Sequence, residues 1–591
     1  MKTKQAAVYI LAAVLAAVPP AGIGQERHEI EVLGTKIPFR EDPRKDMIVI
    51  EGEALRRLPA FQLAELVSLV ANVNFAVRGL FQADPQMQGF NQEQIAVLVD
   101  GIPVNNAQTG HHNFLLPVAA GDIARIEVLR GGFSSRFGSS GGGGQVNIVT
   151  GAGNRLTLRR SSFGTTEASI SAGSEALRAA AGYAETAGYA EGLDGRRAFV
   201  RGGGRWSGNN AFLDMEAGFV GAGFGASRFY GPYPSGETVS RLLGSVSGAV
   251  RLGPGVSGQA RVSGQASRDD FLLYRDDPEK YRNIHETRQL SAEAGLRGAY
   301  RLFDYSLGWT TTADRISSDG IRGGLSVPAL GRHQRIVHSI RGSVEKEAGG
   351  WSWRAGLDAG FGAYRGLGGS LVLGRELGQT FRLSGAIART FRVPTYTELY
   401  YSDPAHLSDP SLSAERTDSA SLSVDGRIDR LSFGGRVFRN RTEGLIDWIR
   451  PDGGTVWRSA NIASGTFAGI DIRAEWAGEH VMARILYTYQ KTKFSAGPGA
   501  ELKYHFYFPD HGLSLIVSGD LGPWSGSAAL KAEREESSGR VRPYLSVRLR
   551  RKLGRMELFA DVQNLFNQRV EKVPELPEAP RSAGLGLGFD F

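Results

Sequence analysis

From Gly151 to Phe591 apolar and polar residues alternate with a period of two, and no stretch after residue 20 carries the ~20 uninterrupted apolar residues of a membrane-crossing helix. Ala292, Ala294, Leu296, Gly298 and Tyr300 alternate with Ser291, Glu293, Gly295, Arg297 and Arg301. Leu431, Phe433, Gly435 and Val437 alternate with Ser432, Gly434 and Arg436, and Val481, Ala483, Ile485, Tyr487 and Tyr489 with Arg484, Thr488 and Gln490. One apolar face and one polar face suit strands between lipid and a wet lumen. Such strands must close into a barrel, because lipid offers no partner to open backbone groups. A soluble propeller or sandwich would show repeat signatures or a helical cap, and neither is evident. For 22 antiparallel strands the roughly 440 residues give about 20 per strand and connection, against the ~9–11 needed to span. A lumen that wide must be plugged. The expected fold is mainly β: a 22-stranded transmembrane barrel holding an N-terminal α+β plug domain.

The first 150 residues read differently. Lys2 and Lys4 precede an apolar run from Ala6 to Val18, with small residues at Gly22 and Gly24, so residues 1–24 are expected to be a cleaved signal peptide. Residues 25–45 read as a polar tether containing a short β-prone run, and 46–150 as the plug. Ala54, Leu55, Leu58, Leu63, Leu66, Val67 and Val70 predict short helical turns broken at Pro59. Asn74–Arg78, Ile95–Val99, Arg125–Leu129 and Gln145–Val149 predict strands. With no cysteine there is no disulfide framework and no lipid-attachment thiol. The charge of +8 is small for 591 residues and is not gathered into an aromatic-laced patch, which argues against a nucleic-acid partner. The last strand alternates Leu585, Leu587, Phe589 and Phe591 with Gly584, Gly586, Gly588 and Asp590.

The phrases AVRGL, LVDGIPVNN, IARIEVLRGG, SSRFGSS and GGGQVNIVT, followed by the segment Phe391 to Gly426 and by DVQNLFNQRVEKVPELPEAPRSAGLGLGFDF, resemble the TonB-dependent outer-membrane receptors in the same order along nearly the whole mature chain. NNAQTGHHNFLLPV, FYGPYPSGET and RDDFLLYRDDPEKYRNIHETRQ look like the subgroup similar to the cobalamin (vitamin B12) receptor, and are expected to lie in loops where ligand contacts sit. The resemblance implies active import of a scarce bulky nutrient, most of all cobalamin or a related corrinoid, with a ferric siderophore as the alternative. It implies three protein or membrane partners: the TonB–ExbB–ExbD complex, the outer-membrane insertion machinery and outer-membrane lipid. The terminal strand, with Phe589 and Phe591, resembles the barrel insertion signal. The run Glu29, Ile30, Glu31, Val32, Leu33, Gly34 and Thr35 fits the box gripped by TonB, as an extended segment that adds to a partner's sheet edge; the lesser alternative is the first plug strand. Two departures stand out. Met87-Gln88-Gly89 replaces a phrase in which arginine is usual, and Asp409-Pro410-Ser411-Leu412-Ser413-Ala414-Glu415 lacks a second proline. Glu185, Glu191 and Asp194 are too sparse for the six or more oxygens of a calcium site.

Candidate ligand contacts are Phe81, Gln82, Asp84, Gln108, His111, His112, Asn113, Tyr230 and Tyr233, with Phe271 and Tyr274 as further aromatic surface. The histidines also read as a solvated loop pair, and alone they fall short of a zinc site, so neither metal nor cofactor is expected. The aromatics read equally as interface girdle residues. Arg125, Glu127 and Arg130 are expected to make polar plug–barrel contacts. The glycines at 131, 132, 138 and 141–144 lack the Gly-Lys-Ser/Thr ending of a phosphate loop and suit tight turns instead. A hydrolase built on Asp100, His111 and Ser134 lacks a nucleophile elbow, so catalysis is not expected. A passive porin would need neither plug nor box.

Overall fold

A computed structural model describes residues 47–131, 142–151, 153–300, 303–495, 499–503, 508–535 and 539–591. The signal segment, the tether with Glu29–Thr35, and Ser134 lie outside the described residues.

The plug begins with strand β1 (Met47–Glu51), helix α1 (Gly52–Arg57) and helix α2 (Leu63–Ala71). Pro59 falls between the helices, where its missing N–H does no harm. The Glu65 carboxylate accepts the Phe61 and Gln62 N–H groups at 3.1 and 3.2 Å, satisfying donors at the start of α2. Asn72 ends that helix with φ 52°, a left-handed conformation asparagine tolerates. Strands β2 (Asn74–Arg78) and β3 (Gln82–Gln86) form a hairpin. Strands β4 (Ile95–Val99), β5 (Ile102–Pro103), β6 (Ile123–Arg130) and β7 (Gly144–Thr150) join β1 in a five-stranded sheet of order β1-β6-β7-β4-β5. Within it β4 and β7 run parallel, and Val97, Ile126, Val128, Val146 and Ile148 are completely buried.

The remaining chain closes a 22-stranded antiparallel barrel around this unit. Its last strand, Ser582–Asp590, pairs with its first, Arg155–Ser161, from Gly584↔Ser161 to Asp590↔Arg155. Alternation decides the faces. Leu290, Leu296, Leu357, Ile387, Ile485 and Leu585 are exposed on the outside, while Ser263, Asp358, Arg436, Asn440 and Asp471 are buried toward the lumen. One end of the barrel carries turns of two or three residues, such as 208–210, 349–350 and 522–523. Exposed Trp206, Tyr300, Phe303, Trp351, Phe381, Trp476 and Trp524 stand beside these turns and form a girdle at that end. The opposite end carries the long loops, including 226–235, 273–280 and 393–414. Phe589 belongs to the outward alternation, and Phe591 packs against the small cluster around Ile170 and Ala181.

The expectation that three subgroup phrases lie in loops is corrected in part. NNAQTGHHNFLLPV is a loop with one short 3₁₀ turn, Gly110–His112. Of FYGPYPSGET, Gly236 onward belongs to a strand, and of the third phrase only residues 273–280 connect the strands Val256–Leu272 and Tyr281–Tyr300. Charged residues such as Asp269 and His285 hid those strands from an apolar reading, because the lumenal face of a barrel strand takes polar side chains freely.

Candidate functional site: the plug apex and its seam with the barrel

At the long-loop end the plug presents β2–β3 and the 105–118 loop to the wall formed by the strands Ala211–Gly225, Gly236–Gly253 and Val256–Leu272. The turn between β2 and β3 places Phe81 6.3 Å from the Phe224 ring. Gln82 donates to the Tyr230 hydroxyl at 3.0 Å. Asp84 pairs with Arg78 across the hairpin and lies 2.8 Å from His111 Nδ1. The Tyr230 ring meets His111 and Phe271 edge-on, each at 5.5 Å between centroids. His112 Nε2 is 3.1 Å from Glu237 and 3.7 Å from Asp269, and Gln108 donates to Asp269 at 2.8 Å. Burial, followed by the Arg78 guanidinium, holds His111 well below the usual imidazole value. Burial also acts against charge on His112, but the Glu237 and Asp269 carboxylates outweigh it and push His112 up to about 10.

These placements sort the candidates. Phe81, Gln82, Asp84, Gln108, His111, His112 and Tyr230 form one cluster. The solvated-loop reading of the histidines is corrected, since both are buried against the wall. Asn113 is buried and braces its own loop, accepting the Asn106 N–H at 2.9 Å. Tyr233 stands apart and half exposed, against Tyr274 at 5.8 Å. Asp194, one of the sparse acids, pairs with Arg275 at 2.5 Å. Asp100 accepts the Thr150 N–H and hydroxyl at 2.9 and 2.6 Å, and His111 turns to Asp84, so these two do not form a pair for catalysis.

Below the apex the seam mixes apolar contacts, such as Phe90 on barrel Phe467 at 4.9 Å and Phe61 on barrel Phe559 at 5.3 Å, with many polar ones. Arg241, 1% exposed, donates to the plug carbonyls of His112 at 2.7 Å, Leu115 at 3.2 Å and Val104. Arg261 donates to Gly101 O at 2.8 Å, and Arg548 to Ala60 O at 3.0 Å. Arg201 reaches Asp122 and Thr150, both at 2.6 Å. Of the three contacts expected, Arg130 pairs with barrel Asp471 at 3.0 Å. Arg125 and Glu127 pair with each other at 2.7 Å, and Asn147 holds Glu127 from the next plug strand at 2.7 Å. Gln88, in the phrase where arginine is usual, donates to the same Asp471 at 3.0 Å. Arg241, Glu237 and Asp269 escaped the sequence reading because nothing local ties them to residues more than a hundred positions earlier. Glu237 and Asp269 fall within two of the subgroup phrases, but only charge at an inward position of an alternating strand marked them, or Arg241, individually.

Cavities of about 120 and about 90 Å³ lie along the seam. The first is walled by Glu93, Asn105 and Asn106 of the plug and Gln265, Gln289 and Asp314 of the barrel. Sites for drug-sized ligands occupy about 300–1,000 Å³, so neither cavity admits a bulky molecule.

Comparison with known proteins follows the same division. The family model "TonB-dependent Receptor Plug Domain" matches residues 41–145, and "TonB dependent receptor-like, beta-barrel" matches 108–565. The vitamin B12 transporter BtuB of Vibrio vulnificus (strain CMCP6) is 29% identical over 168 residues, 25% of this chain and 27% of that protein. The ferric enterobactin receptor PirA of Pseudomonas aeruginosa is 32% identical over 130 residues, covering 20% of this chain and 16% of that one. The chain therefore aligns with well under half the length of either curated relative. The crystal structure of the siderophore receptor PirA from Acinetobacter baumannii superposes with a TM-score of 0.77 at 16% identity, over 93% of this chain and 99% of that one, a likeness of fold.

Proposed function

The chain belongs to the TonB-dependent receptors, and on that premise we propose that it is an active importer of the outer membrane, carrying a scarce, bulky nutrient through a barrel that its own plug keeps shut. The observation behind this reading is the plug seated inside the closed barrel. Among the described residues the two seam cavities are about 120 and about 90 Å³, too small for a bulky ligand unless the plug moves, and moving a plug held by buried charge contacts takes work. The TonB–ExbB–ExbD complex would supply that work by gripping Glu29–Thr35. Leu33→Pro removes a backbone donor and strains an added strand, so it should abolish uptake and spare ligand binding; normal uptake by that variant would sink the assignment. Export through a cleaved signal peptide, and barrel insertion guided by the strand carrying Phe589 and Phe591, belong to the same reading.

The ligand proposed is cobalamin or a related corrinoid, supported by the local identity with BtuB and by the aromatic cluster of Phe81, Tyr230 and Phe271 under the outer loops. A ferric siderophore is the second reading, favoured by the identity with the enterobactin receptor. Equilibrium binding of cobalamin and of a ferric siderophore to the detergent-purified protein separates them. Saturable binding of cobalamin alone supports the first, of the siderophore alone the second, and binding of neither removes both ligands.

A further inference from the structure

We propose that His112, Glu237 and Asp269 form a site for a divalent transition-metal ion of the zinc class, which fastens the plug apex to the barrel wall. His112 comes from the 3₁₀ turn of the plug, and the two acids come from neighbouring barrel strands. Glu237 is register partner to Phe271 and Asp269 to Val239, so both acids stand on the lumenal face, diagonal to one another. One ligand atom from each residue lies within 4.8 Å of the others. A tetrahedral zinc ion with arms of about 2.0–2.1 Å sets its ligands roughly 3.3 Å apart. The His112–Glu237 and His112–Asp269 separations of 3.1 and 3.7 Å bracket that edge, and the Glu237–Asp269 edge is within 4.8 Å.

Two further observations point to a ligand. Asp269 Oδ1 and Gln108 Oε1 are buried without a hydrogen-bond partner among the described residues, and the Gln108 amide already touches Asp269. Buried acceptors left unpartnered are costly, and a cation beside Asp269 would relieve that cost. Charge agrees. Arg78 is taken up by Asp84, His285 Nδ1 is bound to Ser318 at 2.6 Å, and among the described residues the only ion-pair partner of Glu237 and Asp269 is His112. Once the ion displaces the His112 proton, two buried carboxylates and one neutral imidazole match a dipositive ion in charge. A nitrogen ligand with only two carboxylates suits zinc and its neighbours in the transition series, not calcium or magnesium.

The test uses the full chain in detergent, stripped with chelator, reloaded with zinc and freed of excess by gel filtration. Metal content by mass spectrometry should approach one equivalent, and cobalt in place of zinc should give the intense visible bands of a tetrahedral site. Asp269→Asn and Glu237→Gln keep side-chain shape, and each should weaken zinc binding by at least about tenfold. Asp194→Asn, in an exposed pair with Arg275, should leave it unchanged. Heat-modifiable electrophoretic mobility reports whether each variant is a folded barrel, and the cobalt spectrum of the unmodified chain needs no variant. An unmodified chain that retains no zinc and gives no such bands overturns the site, as does zinc binding that both folded variants retain in full.

Discussion

Two parts of the plug are closed to water and differ in chemistry: its sheet interior is wholly apolar, and its contact with the wall is rich in charge. Inside its sheet, Val97, Ile126, Val128, Val146 and Ile148 pack with no polar atom among their side chains. Against the wall, beside apolar contacts such as Phe90 with Phe467 and Phe61 with Phe559, Arg241, Arg261 and Arg548 hold plug carbonyls, and Arg130 and Arg201 hold carboxylates. The energetic contrast follows. Separating an apolar core loses about 25 cal/mol for each Å² returned to water, with nothing regained. Separating a charge from a carbonyl lets water replace each partner, so a typical contact has a net worth of only about 0.5–3 kcal/mol. The difference suggests a body made to stay folded inside a contact made to let go.

The largest expected effect is in the core. Ile148→Ala should cost about 2–5 kcal/mol, read as faster hydrogen exchange across β6 and β7 with the barrel strands unchanged. Exchange that rises equally in both would deny the plug a core of its own. Next comes the seam. Arg241→Met leaves the carbonyls of Val104, His112 and Leu115 without that donor, at about 1–3 kcal/mol. It should raise ion leak through single barrels in a planar bilayer and speed exchange over residues 104–118 while β6 and β7 stay protected.

A smaller, pH-dependent effect is expected at Glu93, which accepts the Gly110 N–H at 2.8 Å. Burial first, then the neighbouring Glu398, raise its carboxyl from 4.5 to about 7. A raised acid is favoured by folding in its protonated form. Its contribution is full below 4.5 and is lost as pH climbs through about 7. Glu93→Gln should therefore flatten the fall in Tm between about pH 5 and about pH 8; an unchanged slope would remove Glu93 as its source. Smallest is Asp194→Asn in the exposed pair with Arg275, worth about 0–1 kcal/mol. A large loss of Tm there would mean that the outer loops, not the seam, hold the assembly.

Much of the scaffold was legible from residue spacing. Ala292, Ala294 and Leu296 gave their outward face directly, and Ile95–Val99 and Asn74–Arg78 coincide with plug strands. Gln82–Gln86 was not legible, because Gln-Ala-Asp-Pro-Gln has no β-prone apolar pattern and is a strand only through its pairing with β2. At the apex, Gln82, Asp84 and His111 were legible as a group because they share two nearby plug segments. Their burial was not, since it is imposed by Glu237, Arg241 and Asp269, inward charges on strands that meet the plug only after the barrel closes. Arg125 and Glu127 show the converse. Charges two apart on one strand share a face, and here they satisfy each other.

The most direct measurement exploits a chain with no cysteine of its own. A Cβ at Gly142 would lie 3.5 Å from that of Thr417 across the seam, and one at Gly151, the residue directly after β7, would lie 3.4 Å from that of Ala124 in β6, the strand with which β7 already pairs; both are close enough for a disulfide. Energised uptake of whichever ligand binds is measured for Gly142→Cys with Thr417→Cys and for Gly151→Cys with Ala124→Cys, each oxidised and reduced. If the plug moves as a folded body against a releasable wall, the seam disulfide stops uptake until it is reduced and the internal one leaves uptake intact. Uptake that continues with the seam locked, or that stops only when the plug interior is locked, would contradict that account.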